Sequence, residues 1–334
     1  MNKKIIALAV AAGLATPMMA SAEVETKWFG FTQITAQKLD QNSTTTPAKD
    51  GLAFGADRVR IGFKVKDGNV FGKLQVDFNK DGTNILKEII KDAEAGYKLG
   101  NHQIKAGLFK TPVGMDFNTS GKKLDITKRG MEKKFVLERA AGVMFSGRKL
   151  SGFGYDVFFG NPSSRGSGVV DDNTNLVGAA NTTAVRAMYD MGNMHFEVSK
   201  GTSEQAGGVG TQDYDVTNVA FKYKSGPLNV KAEYIDGQSW RGNAGNDEEV
   251  YYLHGGYMMN KTTELVARHY AADHSGGTNL TNTYLGVNFF LGSNKTNGRL
   301  QLNYVLAGGD KANYNGNGGG YTDNAILAQY QVSF

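Results

Sequence analysis

The chain has 334 residues, 37 Lys or Arg against 32 Asp or Glu, 44 glycines, 15 tyrosines, 18 phenylalanines, five prolines and no cysteine. The missing cysteine excludes disulfides, thiolate catalysis and thiolate metal ligation. A net charge of +5 gives no basis for a nucleic-acid partner, and the glycine-rich, aromatic-rich composition suits β-structure better than helix.

In chain order, Lys3-Lys4, the apolar run 5–15 and the small residues ending at Ala22 have the layout of an export signal over 1–22, with the mature chain beginning at Glu23. The apolar run is too short to span a bilayer, which takes about 20 residues, and no later stretch approaches that length. Any membrane residence must therefore come from strands. Period-two alternation gives sixteen of them, at about 27–38, 53–66, 69–79, 91–99, 103–111, 141–148, 153–160, 182–190, 194–202, 214–224, 228–236, 249–259, 262–272, 281–292, 299–308 and 322–334.

The connectors alternate in length without exception. Short ones fall at Asp67-Gly68, 100–102, 149–152, 191–193, 225–227, Asn260-Lys261 and 293–298, and long ones fill the other gaps. Tight turns at one end and extended loops at the other distinguish a membrane barrel from a soluble sandwich. The expected fold is an all-β transmembrane antiparallel β-barrel of about 16 strands over 23–334, with both ends on the side of the short turns. In the last strand Ile326, Ala328, Tyr330, Val332 and Phe334 share one face. A chain stopping on an aromatic resembles outer-membrane barrels, and that likeness makes Tyr330, Val332 and Phe334 a candidate assembly signal and the Gram-negative outer membrane the expected location, with lipid and lipopolysaccharide as neighbours.

The two strand faces differ as lipid differs from water. Val59, Ile61, Phe63 and Val65 alternate with Arg58, Arg60, Lys64 and Lys66, and Leu300, Leu302, Tyr304 and Leu306 alternate with Gln301, Asn303, Val305 and Ala307. Inward Gln301 is expected to face water. Inward parity also gives a basic wall of Arg58, Arg60, Lys64, Lys73, Lys98 and Lys105, opposed by Asp77 and Glu94. Residues 104–149 hold eleven Lys or Arg against Asp116, Asp125, Glu132 and Glu138. Their centre is the third long connector, about 112–140. If it folds into the lumen, Lys110, Lys122, Lys123, Lys128, Arg129, Lys133, Lys134 and Arg139 set an anion-attracting field at a constriction. If it stays outside, its lysines meet lipid head groups.

His102, His195, His254, His269 and His274 stand in no motif pairing them with a nucleophile and an orienting carboxylate, so no enzyme, metal or cofactor is expected. The glycine run 316–320 lacks the lysine and helix of a phosphate-cradling loop, and Asp171-Asp172-Asn173 reads as a solvated loop. Inward Phe158, Phe290 and Val305 suit a partly filled lumen, which leaves a non-selective channel or a partner-bound sheath as alternatives to an anion pore.

The stretch Ile104-Lys-Ala-Gly-Leu-Phe-Lys-Thr-Pro-Val-Gly-Met-Asp-Phe117, followed by Leu137-Glu-Arg-Ala-Ala-Gly-Val-Met-Phe145, resembles the phosphate-selective porin O and P family. The matching residues are Gly107, Phe109, Lys110, Pro112, Gly114, Glu138 and Arg139. The resemblance implies a sixteen-stranded barrel, a homotrimer and passive uptake of small anions through a constriction of Arg and Lys. Here the loop is richer in lysine than arginine and no arginine ladder extends beyond Arg58 and Arg60, which points to anions generally rather than to phosphate alone.

Overall fold

The computed structural model describes residues 24–39, 52–79, 89–162, 181–204, 212–274, 278–310 and 320–334. The expected export signal at 1–22, the Asp171-Asp172-Asn173 stretch and residues 316–319 lie outside these. The first eight strands are β1 (Glu25–Leu39), β2 (Ala53–Asp67), β3 (Val70–Asp77), β4 (Ile90–Leu99), β5 (His102–Lys110), β6 (Arg139–Leu150), β7 (Phe153–Gly160) and β8 (Thr182–Met191). The second eight are β9 (Met194–Ser203), β10 (Tyr214–Ser225), β11 (Leu228–Gln238), β12 (Glu248–Met258), β13 (Thr263–His274), β14 (Thr278–Phe290), β15 (Gly298–Gly309) and β16 (Ala325–Ser333).

Each strand pairs antiparallel with its sequence neighbours, and β1 pairs with β16, so the sheet is a closed sixteen-strand barrel as the alternation predicts. Closure leaves no unpaired strand edge, which a backbone in hydrocarbon requires. At the seam Phe334 N donates to Gly30 O at 3.1 Å and Gly30 N to Phe334 O at 3.3 Å. A Cβ on Gly30 would stand 2.6 Å from Cζ of Phe334, so only glycine lets that ring lie down here.

Side-chain parity sorts the barrel into two surfaces. Phe145, Val157, Val198, Leu253, Leu285, Leu302 and Tyr330 face outward and exposed, forming an apolar band for lipid. No helix among the described residues is long and apolar enough to cross a membrane.

Inside, the barrel is half filled. Residues 111–138, joining β5 to β6, carry two one-turn helices, α1 (Met115–Asn118) and α2 (Glu132–Phe135), with a 3-10 turn Gly121–Lys123 between them. Ile126, Met131, Phe135, Val136 and Leu137 of this loop pack with inward Val216, Ile235, Val250, Tyr252, Tyr270, Leu280, Tyr284, Val305 and Leu327 in one buried apolar cluster. Burying each such large side chain contributes roughly 1.5–3 kcal/mol. Much of the lumen beside β10–β16 is therefore packed against the loop, while open space lies beside β1–β8.

Candidate functional site

The loop's path explains where that space is. Its backbone is tied to the wall by inward polar side chains: Gln33 donates to Gly121 O at 3.1 Å, Arg299 to Leu124 O at 2.8 Å, Asn288 and Gln301 to Asp125 O at 2.9 and 3.1 Å, and Gln329 to Thr127 O at 3.0 Å. Asn303 Oδ1 accepts from Thr127 N at 2.9 Å. The expectation that Gln301 meets water is thus overturned: it points inward as parity requires, but the loop covers it and only 1% of it is exposed.

Charge completes the anchor. Arg268 reaches Asp116 at 2.8 Å and Asp125 at 3.1 Å, while Lys231 meets Asp125 at 2.5 Å. Glu233 accepts from the N–H groups of Met115 and Asp116 at 2.7 and 3.1 Å, supplying the acceptors that the start of α1 needs. Burial pushes the Asp116 carboxyl up, but Arg268 and Lys231 outweigh it and hold it below the usual range. At Asp125 burial is likewise outweighed, by Lys231, His254 and Arg268. Two loop carboxylates are therefore consumed by the β10–β16 wall and do not face the open side.

The open side is a 590 Å³ cavity between loop residues 118–123 and the wall from β1 to β8. Of the sequence-predicted residues, Arg60, Lys64, Lys73, Lys105, Lys110, Lys122, Lys123 and Arg139 line it, joined by Lys27, Arg148 and Arg186, which parity reasoning had not singled out. Against these eleven cations stand two carboxylates, Asp92 and Glu94. Several cations are paired: Arg60 with Asp77 at 2.8 Å, Lys73 with Asp92 at 2.5 Å, Lys105 with Glu94 at 2.6 Å, Arg139 with Asp92 at 3.3 Å and Arg186 with Asp156 at 2.6 Å. Lys27, Lys64, Lys110, Lys122 and Lys123 make no ion pair among the described residues. Burial, followed by the nearby charges of Lys123, Lys64 and Lys27, lowers the Lys122 ammonium, which is the signature of lysines converging without a counter-charge.

Gly107, one of the residues carrying the family resemblance, has φ of 124°, and a Cβ there would fall 2.1 Å from Ala93 O. Glycine lets β5 press against β4 where Lys105 and Lys110 are aimed inward. Lys98 lines an adjoining 390 Å³ cavity, shared with Lys27, Lys64, Lys73 and Lys105, towards the end with the short turns.

The other predicted cations do not reach these cavities. Lys128 meets Asp57 at 3.3 Å. Arg129 turns back on the loop, donating to Asp116 O, Phe117 O and Thr119 O; burial holds its guanidinium down to about 10, still charged at neutral pH. Lys133 and Lys134 sit on α2, whose last turn Trp240 pins by donating to Lys134 O at 3.1 Å. Arg58 is buried beside Gly121 and bonded to Gln33. Among the described residues no group of three His, Cys, Asp or Glu is arranged to hold a metal ion.

This architecture is similar to that of solved outer-membrane porins. A family model described as Gram-negative porin matches residues 144–278. Among solved structures, the chain is similar to the anion-selective porin from Comamonas acidovorans, at 11% identity over 93% of this chain and 100% of that one, with a TM-score of 0.69. It is also similar to OmpF of Salmonella typhi, at 12% identity over 92% and 97%, TM-score 0.69, and to the trimer form of OmpT, an outer membrane protein of Vibrio cholerae, at 14% identity over 94% and 100%, TM-score 0.64. No match was found among curated protein sequences. The chain shares with these proteins the fold of a closed sixteen-strand antiparallel barrel.

Proposed function

We propose that the chain is a passive diffusion channel that prefers small anions, assembled as a homotrimer. One observation carries this reading: eleven cations against two carboxylates surround the open side of the lumen, and five of the cations have no ion-pair partner among the described residues. In a narrow passage with low-dielectric walls such a field attracts anions and repels cations. Seven of the eleven are lysines, compact point charges rather than the planar forks suited to bidentate phosphate recognition. The preference is therefore for anions broadly, in departure from the strict phosphate selectivity of the family that the sequence resembles. A similar fold in an anion-selective porin and in a trimeric outer-membrane protein supports the reading. The test is the reversal potential of the purified protein in a planar bilayer under a KCl gradient. A value on the chloride side is expected. Stepwise conductance with no selectivity would leave a general porin, and no steps at all would leave a sheath.

A further inference from the structure

The loop has a second side. Beyond residues 119–125, away from the passage, lies another cavity of 570 Å³, bounded by β10, β11, β13, β15 and the turn joining β14 to β15. The bonds from Arg299, Gln301 and Asn288 to Leu124 O and Asp125 O fasten the loop across it. Its other lining residues include Lys224, Lys295 and Thr296, at the end with the short turns, which in outer-membrane barrels faces the periplasm.

The lining is unbalanced. Lys123, Lys222, Lys224, Lys231, Lys295 and Arg299 face Asp125 and Glu264, and Asp125 is taken by Lys231 at 2.5 Å. The remaining five cations make no ion pair among the described residues. Arg299 is 3% exposed and its Nε, a donor, has no hydrogen-bond partner. Unpartnered buried polar groups and like charges converging on one cavity both destabilise the protein unless something occupies the space. The volume exceeds what a single inorganic ion fills and falls within the range of organic-ligand pockets, about 300–1,000 Å³.

We propose that this chamber is a binding site for a small organic polyanion, one bearing two or more carboxylate or phosphate-ester groups, arriving from the periplasmic side. Its charged groups would bridge Lys123 on the loop to Lys222, Lys295 and Arg299 on the wall, fastening the loop further. The site adjoins the passage, with Ser120 and Lys123 lining both, but its wall residues on β10, β15 and the turn joining β14 to β15 line the chamber and not the passage, and the proposal stands whether or not the passage is selective.

Citrate and pyrophosphate as probes, with acetate as the monovalent control, test this by titration calorimetry on the full-length detergent-solubilised protein. Wild type is compared with a chamber variant, Lys222→Gln/Lys224→Gln/Lys295→Gln, and a passage variant, Lys27→Gln/Lys64→Gln. The expected result is a site in wild type and in the passage variant that the chamber variant binds at least about tenfold more weakly, equivalent to roughly 1.4 kcal/mol. Citrate should also raise the melting temperature of wild type and of the passage variant by more than that of the chamber variant. Equal citrate and pyrophosphate binding by wild type and chamber variant, or binding lost only in the passage variant, would overturn the proposal, as would no binding to wild type. Lys224 and Lys295 are exposed and Lys222 is partly so, and unchanged far-ultraviolet spectra and heat-resistant mobility check that the variants fold. Reversal potentials on the same proteins test the anion passage independently.

Discussion

Arg268 donates to Asp116 at 2.8 Å and to Asp125 at 3.1 Å, so one buried side chain of the barrel wall joins two separate turns of the inward loop. Replacing it by Leu would leave Asp116 with only Lys231, at 3.7 Å, and both carboxylates still buried. Removing one partner of a buried charge network costs about 3–5 kcal/mol. Arg268→Leu should therefore melt at a markedly lower temperature, and its single-channel record should show added flicker and substates as the loop loosens. A quiet channel with wild-type stability would mean that Glu233 and the backbone bonds alone hold the loop.

Selectivity should follow placement rather than composition. Replacing Lys27, Lys64, Lys122 and Lys123 with Gln removes four of the five cations that line the passage without an ion pair and should move the reversal potential towards the cation side. Lys133→Gln/Lys134→Gln, on α2, should leave it nearly unchanged. Raising salt from about 0.1 to 1 M shortens the Debye length from about 10 to 3 Å and should weaken the wild-type preference. If the two variants shift the potential equally, the passage does not run between 118–123 and the β1–β8 wall.

The loop also carries a pH signal. Burial, and then the charge of Asp116, raises the Glu132 carboxyl from its ordinary 4.5 to about 7, against the opposing pull of Arg268 and Arg129. The carboxyls of Asp116 and Glu233 and the hydroxyls of Tyr270 and Tyr284 share its field. Between those two pH values the folded protein holds a proton that the unfolded chain releases, so this group's contribution is fully present below about 4.5 and is lost as pH rises through 7. Glu132→Gln should remove the loss. The melting temperature of the variant should fall less between pH 5 and pH 8 than that of wild type; parallel curves would dismiss Glu132 as the source.

How much of this was readable in the chain depends on range. All sixteen strands were legible, because alternation is a local property that a closed sheet enforces on every strand. The loop's charge was legible as a total, but not its direction: the partners of Asp116 and Asp125 are Arg268 and Lys231, 152 and 106 residues away from them in sequence. Nothing local distinguishes Lys122, in the passage, from Arg129, folded back on carbonyls of its own loop. Parity correctly sent Gln301, Asn303 and Val305 inward, yet inward is not the same as wet. At these positions of β15 inward means packed against the loop, and only the three-dimensional path of residues 111–138 reveals it.

That distinction gives the most discriminating stability experiment. Leu302 faces lipid, exposed on the outer band, and a lysine there near the bilayer midplane should cost roughly 2–4 kcal/mol. Gln103 lines the passage, where a lysine enters water beside other cations, so Gln103→Lys should be nearly neutral in stability. Gln301 is next in sequence to Leu302 and points the opposite way, but its amide donates to Leu124 O, Asp125 O and Asn288 Oδ1. A lysine there retains a donor, yet it brings an ammonium close to Arg299, which also donates to Leu124 O, and leaves the Asn288 acceptor with poorer geometry. Burying that charge without a carboxylate partner is unfavourable. Gln301→Lys should therefore fall between the other two in a denaturant titration in lipid vesicles, and it alone of the three should also add flicker to the channel. A Gln301→Lys protein as stable and as quiet as Gln103→Lys would show that water, not the loop, covers this stretch of the inner wall.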